Sequence, residues 1–332
     1  MNIFLPLFAL VGQLGAGLLA VIQLWLGALG VPVGQTADSA ANPYLVGSGS
    51  AWVSAHRLGG GEAPENSLMA VKRTVDAARR TAQILEMDVQ MTRDGELILL
   101  HNTFFDDTTN AAEAFGHVGV APIYYTYGQL WEKINLGAKW DAPYADLRGA
   151  DIPADLRVTR LRDVLQYAEA HGDPKKPYYY TIEAKQLGML GYIAADRLVA
   201  LCAEMGVLER VTFGSFFPDV SAYVSRKYPD VARCADTLDV LRFANCYLRG
   251  ADLLREAAPA YDVLLLPYGG SISWLVDFGT PEVVAYAHKY GLAVHFWTVN
   301  DPADAKKLSA ADADGIITDE PGLIRTALAA AA

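Results

Sequence analysis

The chain has 332 residues, 52% of them hydrophobic, with 38 acidic against 27 basic side chains and a formal net charge of -11. That is more apolar material than one small domain needs, so one large α/β domain of roughly 250 to 280 residues plus an appendage is expected. The acidic balance argues against a general nucleic-acid binder, and any anionic partner has to be met by a local cluster of positive charge or by a metal.

From Ile3 to Val33 no residue is charged, and only Gln13 and Gln23 interrupt a run of Leu, Ala, Gly, Val, Ile and Phe. The run is long enough to cross a bilayer. A cleaved signal peptide wants a basic start and an apolar core of about 7 to 15 residues, and neither is present. Residues 1–34 are therefore expected to be a retained membrane anchor, a transmembrane helix, although Ser39-Ala40-Ala41 would suit cleavage and secretion. No Lys or Arg occurs before Arg57, so the flank lacks the positive charge that holds a loop in the cytoplasm. The domain that follows is expected outside the cytoplasm, after a linker over residues 35–50 rich in Gly, Ala, Ser and Asn.

Residues 51–332 read as the working domain. Ala51 to Ala55 forms a short strand that runs into His56-Arg57 and the Gly-rich loop Leu58 to Ser67. A helix from Ser67, with Asn66 or Ser67 as N-cap, follows from the spacing of Leu68, Val71, Val75 and Ala78. The next strand, Ile84 to Gln90, sets Glu86 and Asp88 two residues apart in an apolar run, which turns both carboxylates to one face. Either the strand is an exposed edge with a polar side, or the two acids share a cation. A turn at Thr92 to Gly95 returns an extended segment ending at His101-Asn102. Thr103 to Asp155 is a long aromatic insertion of little periodicity, with a short helix near Tyr127 to Ile134; such loops commonly shape access. Its Phe104, Phe105, Phe115, Tyr124, Tyr125, Tyr127 and Trp131 either pack it onto the domain or carry the mouth to a bilayer.

A helix at Leu161 to Glu169 precedes the strand Pro177 to Lys185, where Glu183 and Lys185 share a face as a surface ion pair or as part of a site. Strands are then expected at Arg210 to Ser215, Val231 to Ala235, Val263 to Pro267, Leu292 to Asn300 and Asp314 to Asp319, with helices between them. Eight strands alternating with helices point to a closed (β/α)₈ TIM barrel whose working residues gather at the C-terminal strand ends; a doubly wound open sheet is the other architecture. Cys202, Cys234 and Cys246 lack zinc-type spacing and their odd number cannot close a disulfide framework. Buried free thiols are expected, with a Cys234–Cys246 pair as the alternative for an exported domain.

The strand ends collect His56-Arg57, Glu86 with Asp88, His101, Glu183 with Lys185, Ser215-Phe216, Trp297 with Asn300, and Thr318-Asp319. Three carboxylates make a hard-oxygen site suited to Mg²⁺ or Ca²⁺, and two histidines beside them can serve as acid and base. From Trp52 to Pro321 the chain resembles the glycerophosphodiester phosphodiesterase family. The matching elements are His56-Arg57, Pro64 to Ser67, Glu86 to Val89, Thr92 to Gly95, His101, Ile182 to Lys185, Trp297 to Asn300 and Asp314 to Pro321. The resemblance implies hydrolysis of a glycerophosphodiester, with Glu86, Asp88 and Glu183 as ligands of one divalent cation and His56 and His101 as the catalytic pair. Arg57, Lys185 and Trp297 would face the substrate, with Glu65 and Asn66 in support. Leu58 stands where the family usually has glycine, Ser67 where Thr is commoner, and Asn102 where an Asp usually follows the second histidine. Relatives can also let a neighbouring substrate hydroxyl attack first, giving a cyclic phosphate.

The expected substrate is a glycerophosphodiester or, with an anchor nearby, a lysophospholipid, cleaved as by a lysophospholipase D. A phosphatidylinositol phospholipase is the rival within the same chemistry. A glycosidase also pairs carboxylates on a barrel but needs neither two histidines nor an Arg and a Lys beside them. An inactive membrane-tethered phosphate-ester binder would not need the complete set.

Overall fold

The strand segments pair into one sheet: β1 (Trp52–Ala55), β2 (Ile84–Met91), β3 (Leu97–Leu99), β4 (Tyr179–Ala184), β5 (Val211–Gly214), β6 (Val263–Pro267), β7 (Ala293–Trp297) and β8 (Gly315–Thr318). The computed structural model describes residues 42–46, 50–75, 80–257, 259–269 and 277–330. The expected anchor, residues 1–34, and positions 35–41 and 47–49 of the expected linker lie outside the described residues. Among the described residues no helix is long and apolar enough to cross a membrane.

Parallel pairing runs β5-β4-β2-β1-β8-β7-β6, and β3 folds back antiparallel onto β2. The strand expected at Val231 to Ala235 is reduced to two bridges, Phe213 with Arg233 and Cys234 with Val263. Those bridges still close the ring, because Cys234 N–H donates to Phe213 O at 2.8 Å and Ala235 N–H donates to Val263 O at 2.8 Å. The segment cannot lengthen. Asp236 accepts from the N–H groups of Leu238 and Asp239 and so starts the helix Thr237–Leu248 one residue after Ala235. The result is a (β/α)₈-type barrel of seven strands and one bridged stave. The chain ends in a helix, Pro321–Ala329, that the sequence reading left out.

Every residue of β2 is buried, as a parallel strand covered on both faces requires. Leu85, Met87 and Val89 join the apolar core with helix residues such as Val71, Leu165 and Leu198. Alternation then turns Glu86 and Asp88 into the barrel, which removes the exposed-edge reading. The insertion carries a small core of its own, with Phe105, Leu130 and Ile134 fully buried and Phe115, Tyr125 and Tyr127 packed against them. Phe104, Tyr124 and Trp131 stay exposed. All three cysteines are free and buried.

Part of the expected linker belongs to the barrel. Asn42 Nδ2 donates to the carbonyls of Asp262 and Gly291, just before β6 and β7, and Val46 N–H donates to Asp314 Oδ1 before β8. Tyr44 is wholly buried against Tyr179, Cys234 and Val263. Residues 42–46 thus plug the floor, the end opposite the strand C-termini. His288 Nε2 reaches Asp314 Oδ2 at 2.8 Å on the same floor. That hydrogen bond, opposed by partial burial and helped by the charges of Asp314 and Asp312, raises the His288 pKa above its ordinary value. A raised folded pKa stabilises below the unfolded value of about 6.5 and fades as pH rises through the folded one. The stability lost in His288→Gln, measured by urea unfolding, is therefore expected to be larger at about pH 5.5 than at about pH 9; equal losses would remove this linkage.

Candidate active site

Parallel register sets the carboxylates. Asp88 of β2 lies beside Glu183 of β4, and Glu86 lies one inward position below it beside Thr181. One oxygen from each of Glu86, Asp88 and Glu183 lies within 4.8 Å of the others. Lys185 Nζ bridges Asp88 Oδ1 at 3.0 Å and Glu183 Oε2 at 2.8 Å, with its side chain only 10% exposed. The Glu183–Lys185 pair is therefore an interior one, not a surface ion pair. Phe216, just past β5, covers Lys185 with Nζ 5.0 Å from its ring centroid and meets Trp297, at the end of β7, edge to face.

A left-handed turn aims the first histidine segment. Arg57 and Leu58 both have positive φ, 50° and 68°. The bend points the Arg57 N–H at Glu86 Oε2, 2.6 Å away. A side chain in that conformation at position 58 costs roughly 1 to 2 kcal/mol of backbone strain relative to glycine. Leu58 is fully buried, and burying a leucine contributes roughly 1.5 to 3 kcal/mol, enough to offset the strain. The Arg57 guanidinium is held by Glu65 at 2.8 Å, and its buried Nε, 3.9 Å from Asp88, makes no hydrogen bond. Asn66 Nδ2 donates to Asp88 Oδ2 at 3.0 Å.

The two histidines reach the same mouth by different routes. His56 follows β1, and its Nδ1 donates to Asp319 Oδ1 at 2.7 Å across the ring closure. His101 is brought back by the β2–β3 hairpin, where Leu100 N–H donates to Asp88 O at 3.0 Å. Its Nδ1 donates to Asn102 Oδ1 at 2.8 Å, and Asn102 Nδ2 donates in turn to Asp107, which fixes the amide orientation. An amide thus orients His101 and adds no charge.

The model of the Glycerophosphoryl diester phosphodiesterase family matches residues 56–323. The chain belongs to this family. It is 30% identical over 269 residues to the glycerophosphodiester phosphodiesterase of Caldanaerobacter subterraneus subsp. tengcongensis, covering 81% of this chain and 94% of that one. A Bacillus subtilis glycerophosphodiester phosphodiesterase is 24% identical over 310 residues, covering 92% and 96%. An Oleispira antarctica phosphodiesterase, solved with the product sn-glycerol-3-phosphate, shares the fold at a TM-score of 0.62 and 19% identity, over 84% of this chain and 97% of that one. A Parabacteroides distasonis glycerophosphodiester phosphodiesterase does so at 0.60 and 19%, over 86% and 99%. As a glycerophosphodiester phosphodiesterase family member the chain is an enzyme, a phosphoric diester hydrolase.

Electrostatics in this family member fit a cation among the acids. Burial, then the charge of Asp88, pushes Glu86 up to about 8. Burial, resisted by Lys185 and reinforced by Asp88, pushes Glu183 up to about 7. Asp88 is buried as well, but Lys185, His101 and Asn66 outweigh that burial and hold it below its ordinary value. Glu183 Oε1 is buried without a hydrogen-bond partner, a free oxygen facing its neighbours. An all-oxygen donor set with one unsatisfied buried atom suits a hard divalent ion. The histidines diverge: burial opposes protonation of His56, yet the Asp319 bond and the charges of Glu86 and Asp319 raise its pKa. Burial lowers that of His101, and Asp88 only partly offsets it.

Sequence reasoning collected all ten candidate side chains but missed the partnership between His56 and Asp319. Its two halves lie 263 residues apart, and only the β1–β8 pairing joins them.

Proposed function

We propose that the enzyme hydrolyses glycerophosphodiesters to an alcohol and glycerol 3-phosphate, using one divalent cation and the His56–His101 pair. The observation that carries this is the convergence of Glu86, Asp88 and Glu183 between two histidines of opposite electrostatic tuning. Those three carboxylates would hold Mg²⁺ or Ca²⁺. Once bound, such an ion supplies Lewis-acid polarisation of a phosphate oxygen and offsets the charge that develops on it.

The remaining work belongs to the chain. Arg57, steadied by Glu65, has an unpaired Nε–H to offer a phosphate oxygen, and Lys185 adds a second positive group beside it. His101, neutral at pH 7 by its lowered pKa, accepts the proton of the attacking hydroxyl or water through Nε2. His56, with the larger protonated fraction, donates from Nε2 to the leaving alkoxide. Trp297 and Phe216 give the organic part of the diester an aromatic wall. The sn-glycerol-3-phosphate bound by the Oleispira antarctica relative matches the product proposed here.

The exposed rim and the proposed anchor bear on substrate size in opposite ways. Leu187 and Met189, exposed in the segment after Lys185, favour a lysophospholipid with its acyl chain at the rim. Against this, residues 42–46 reach the barrel at its floor, so an anchor in the residues before them would leave the mouth at the opposite end, which favours soluble glycerophosphodiesters. Product analysis on glycerophosphocholine, a lysophospholipid and phosphatidylinositol is expected to show the fastest turnover on the first, with release of glycerol 3-phosphate and choline. Turnover of phosphatidylinositol alone would overturn the proposal. Membrane anchoring with an extracytoplasmic barrel is tested by protease accessibility of the barrel in intact cells; protection there, or recovery in the cytosolic fraction, would refute it.

A further inference from the structure

Asn300 and Asp319 sit at the mouth without a part in the scheme above. Asp319 uses both carboxylate oxygens: Oδ1 accepts from His56 Nδ1, and Oδ2 accepts from Asn300 Nδ2 at 2.8 Å. Asn300 is fixed in turn, because its Oδ1 accepts from the Asp319 N–H at 2.9 Å and from the Thr318 hydroxyl at 3.0 Å. The Asp319 carbonyl accepts from Gly61 N–H at 2.9 Å, which ties the same residue to the loop after His56. Thr318 is fully buried, so the arrangement is braced from below.

We propose that Asp319, oriented by Asn300, is a positioning residue that keeps the proton of neutral His56 on Nδ1 and turns Nε2 toward the reacting phosphate. The proposal rests on the reading of His56 as one of the two proton-transfer groups. Its logic is in the donors. The Asn300 Nδ2–H groups require an acceptor, and the Asn300 oxygen is already committed to two donors, so the amide cannot turn round without breaking both bonds. In Asp319→Asn the new amide must therefore present its oxygen to Asn300 and its NH₂ to His56 Nδ1. A donor facing Nδ1 leaves that nitrogen as an acceptor, so the neutral imidazole carries its proton on Nε2 and the imidazolium that acts as the acid no longer forms. Changing Asn300 to Asp in the same chain supplies an all-acceptor partner, frees the amide oxygen at 319 for His56, and restores the original tautomer. His56 would then stand as His101 does, on an amide oxygen.

The test compares wild type, Asp319→Asn and the double variant Asn300→Asp/Asp319→Asn by kcat and KM on glycerophosphocholine, with ¹⁵N spectra reporting the His56 tautomer. Asp319→Asn is expected to lose kcat by about a hundredfold with KM little changed, its His56 proton moving to Nε2. The double variant should recover about tenfold or more of that loss and the Nδ1–H spectrum. Wild-type kcat in Asp319→Asn, or a loss that the double variant does not relieve while His56 keeps its Nδ1 proton, would overturn the proposal. If His56→Ala keeps full turnover, the catalytic reading of His56 fails separately, and the spectra still decide whether Asp319 controls the tautomer.

Discussion

Replacing His56 or His101 by alanine is expected to lower kcat by about a hundredfold or more, with the thermal midpoint nearly unchanged. Both side chains are partly exposed at the mouth and outside the apolar core, so truncation removes little core packing. The losses should differ in their pH signatures. With its pKa lowered, His101 stays neutral to below the ordinary value; with its pKa raised, His56 stays protonated above it. An accepting His101 and a donating His56 are jointly competent between the two pKa values, so kcat/KM should follow a bell with a plateau near neutral pH. His101→Ala then removes the acid limb and His56→Ala the basic one. Full activity in either variant would sink the two-histidine assignment, and exchanged limbs would reverse the roles.

Chelation should abolish activity in the wild type, and added Mg²⁺ or Ca²⁺ should restore it. In Glu86→Gln and Asp88→Asn neither ion should. The physical reason is the cost of keeping buried carboxylates charged: burial, reinforced by the Asp88 charge and resisted by Lys185, pushes Glu86 up to about 8 and Glu183 up to about 7. An ion among the three oxygens relieves that cost, so binding should also stabilise the fold, by about 2.7 kcal/mol at a concentration of about a hundred times Kd. The measurement is the thermal midpoint with and without the ion. A rise in the wild type that vanishes in Glu86→Gln is the expected result, and it does not depend on turnover. Chelator-insensitive activity would argue against a metal enzyme.

Much of this site was legible in the chain because the barrel repeats one local rule. A strand ends, its last inward residues face the mouth, and period two tells which they are. Glu86 with Asp88, and Glu183 with Lys185, are found by that rule alone. His101 was placed near the acids from its position after a turn, and the β2–β3 hairpin carries it there by antiparallel pairing. The strand at Val231 to Ala235 was overcalled for the same reason: its apolar pattern is genuine, but the Asp236 cap starts a helix before a ladder can form. Residues 42–46 read as linker because the partners that seat Asn42 and Tyr44 on the barrel lie on β-strand entries more than a hundred residues away.

The sequence by itself determined the strand-and-helix alternation, the acids and histidines, and the family, since each depends on residue type and short spacing. Tertiary structure alone decided which group each side chain answers to. Ring closure sets Asp319 against His56, parallel register sets Asp88 beside Glu183, and the hydrogen bond and charges around His56 then separate two histidines that burial pushes the same way, because charge and desolvation act through space and not along the chain.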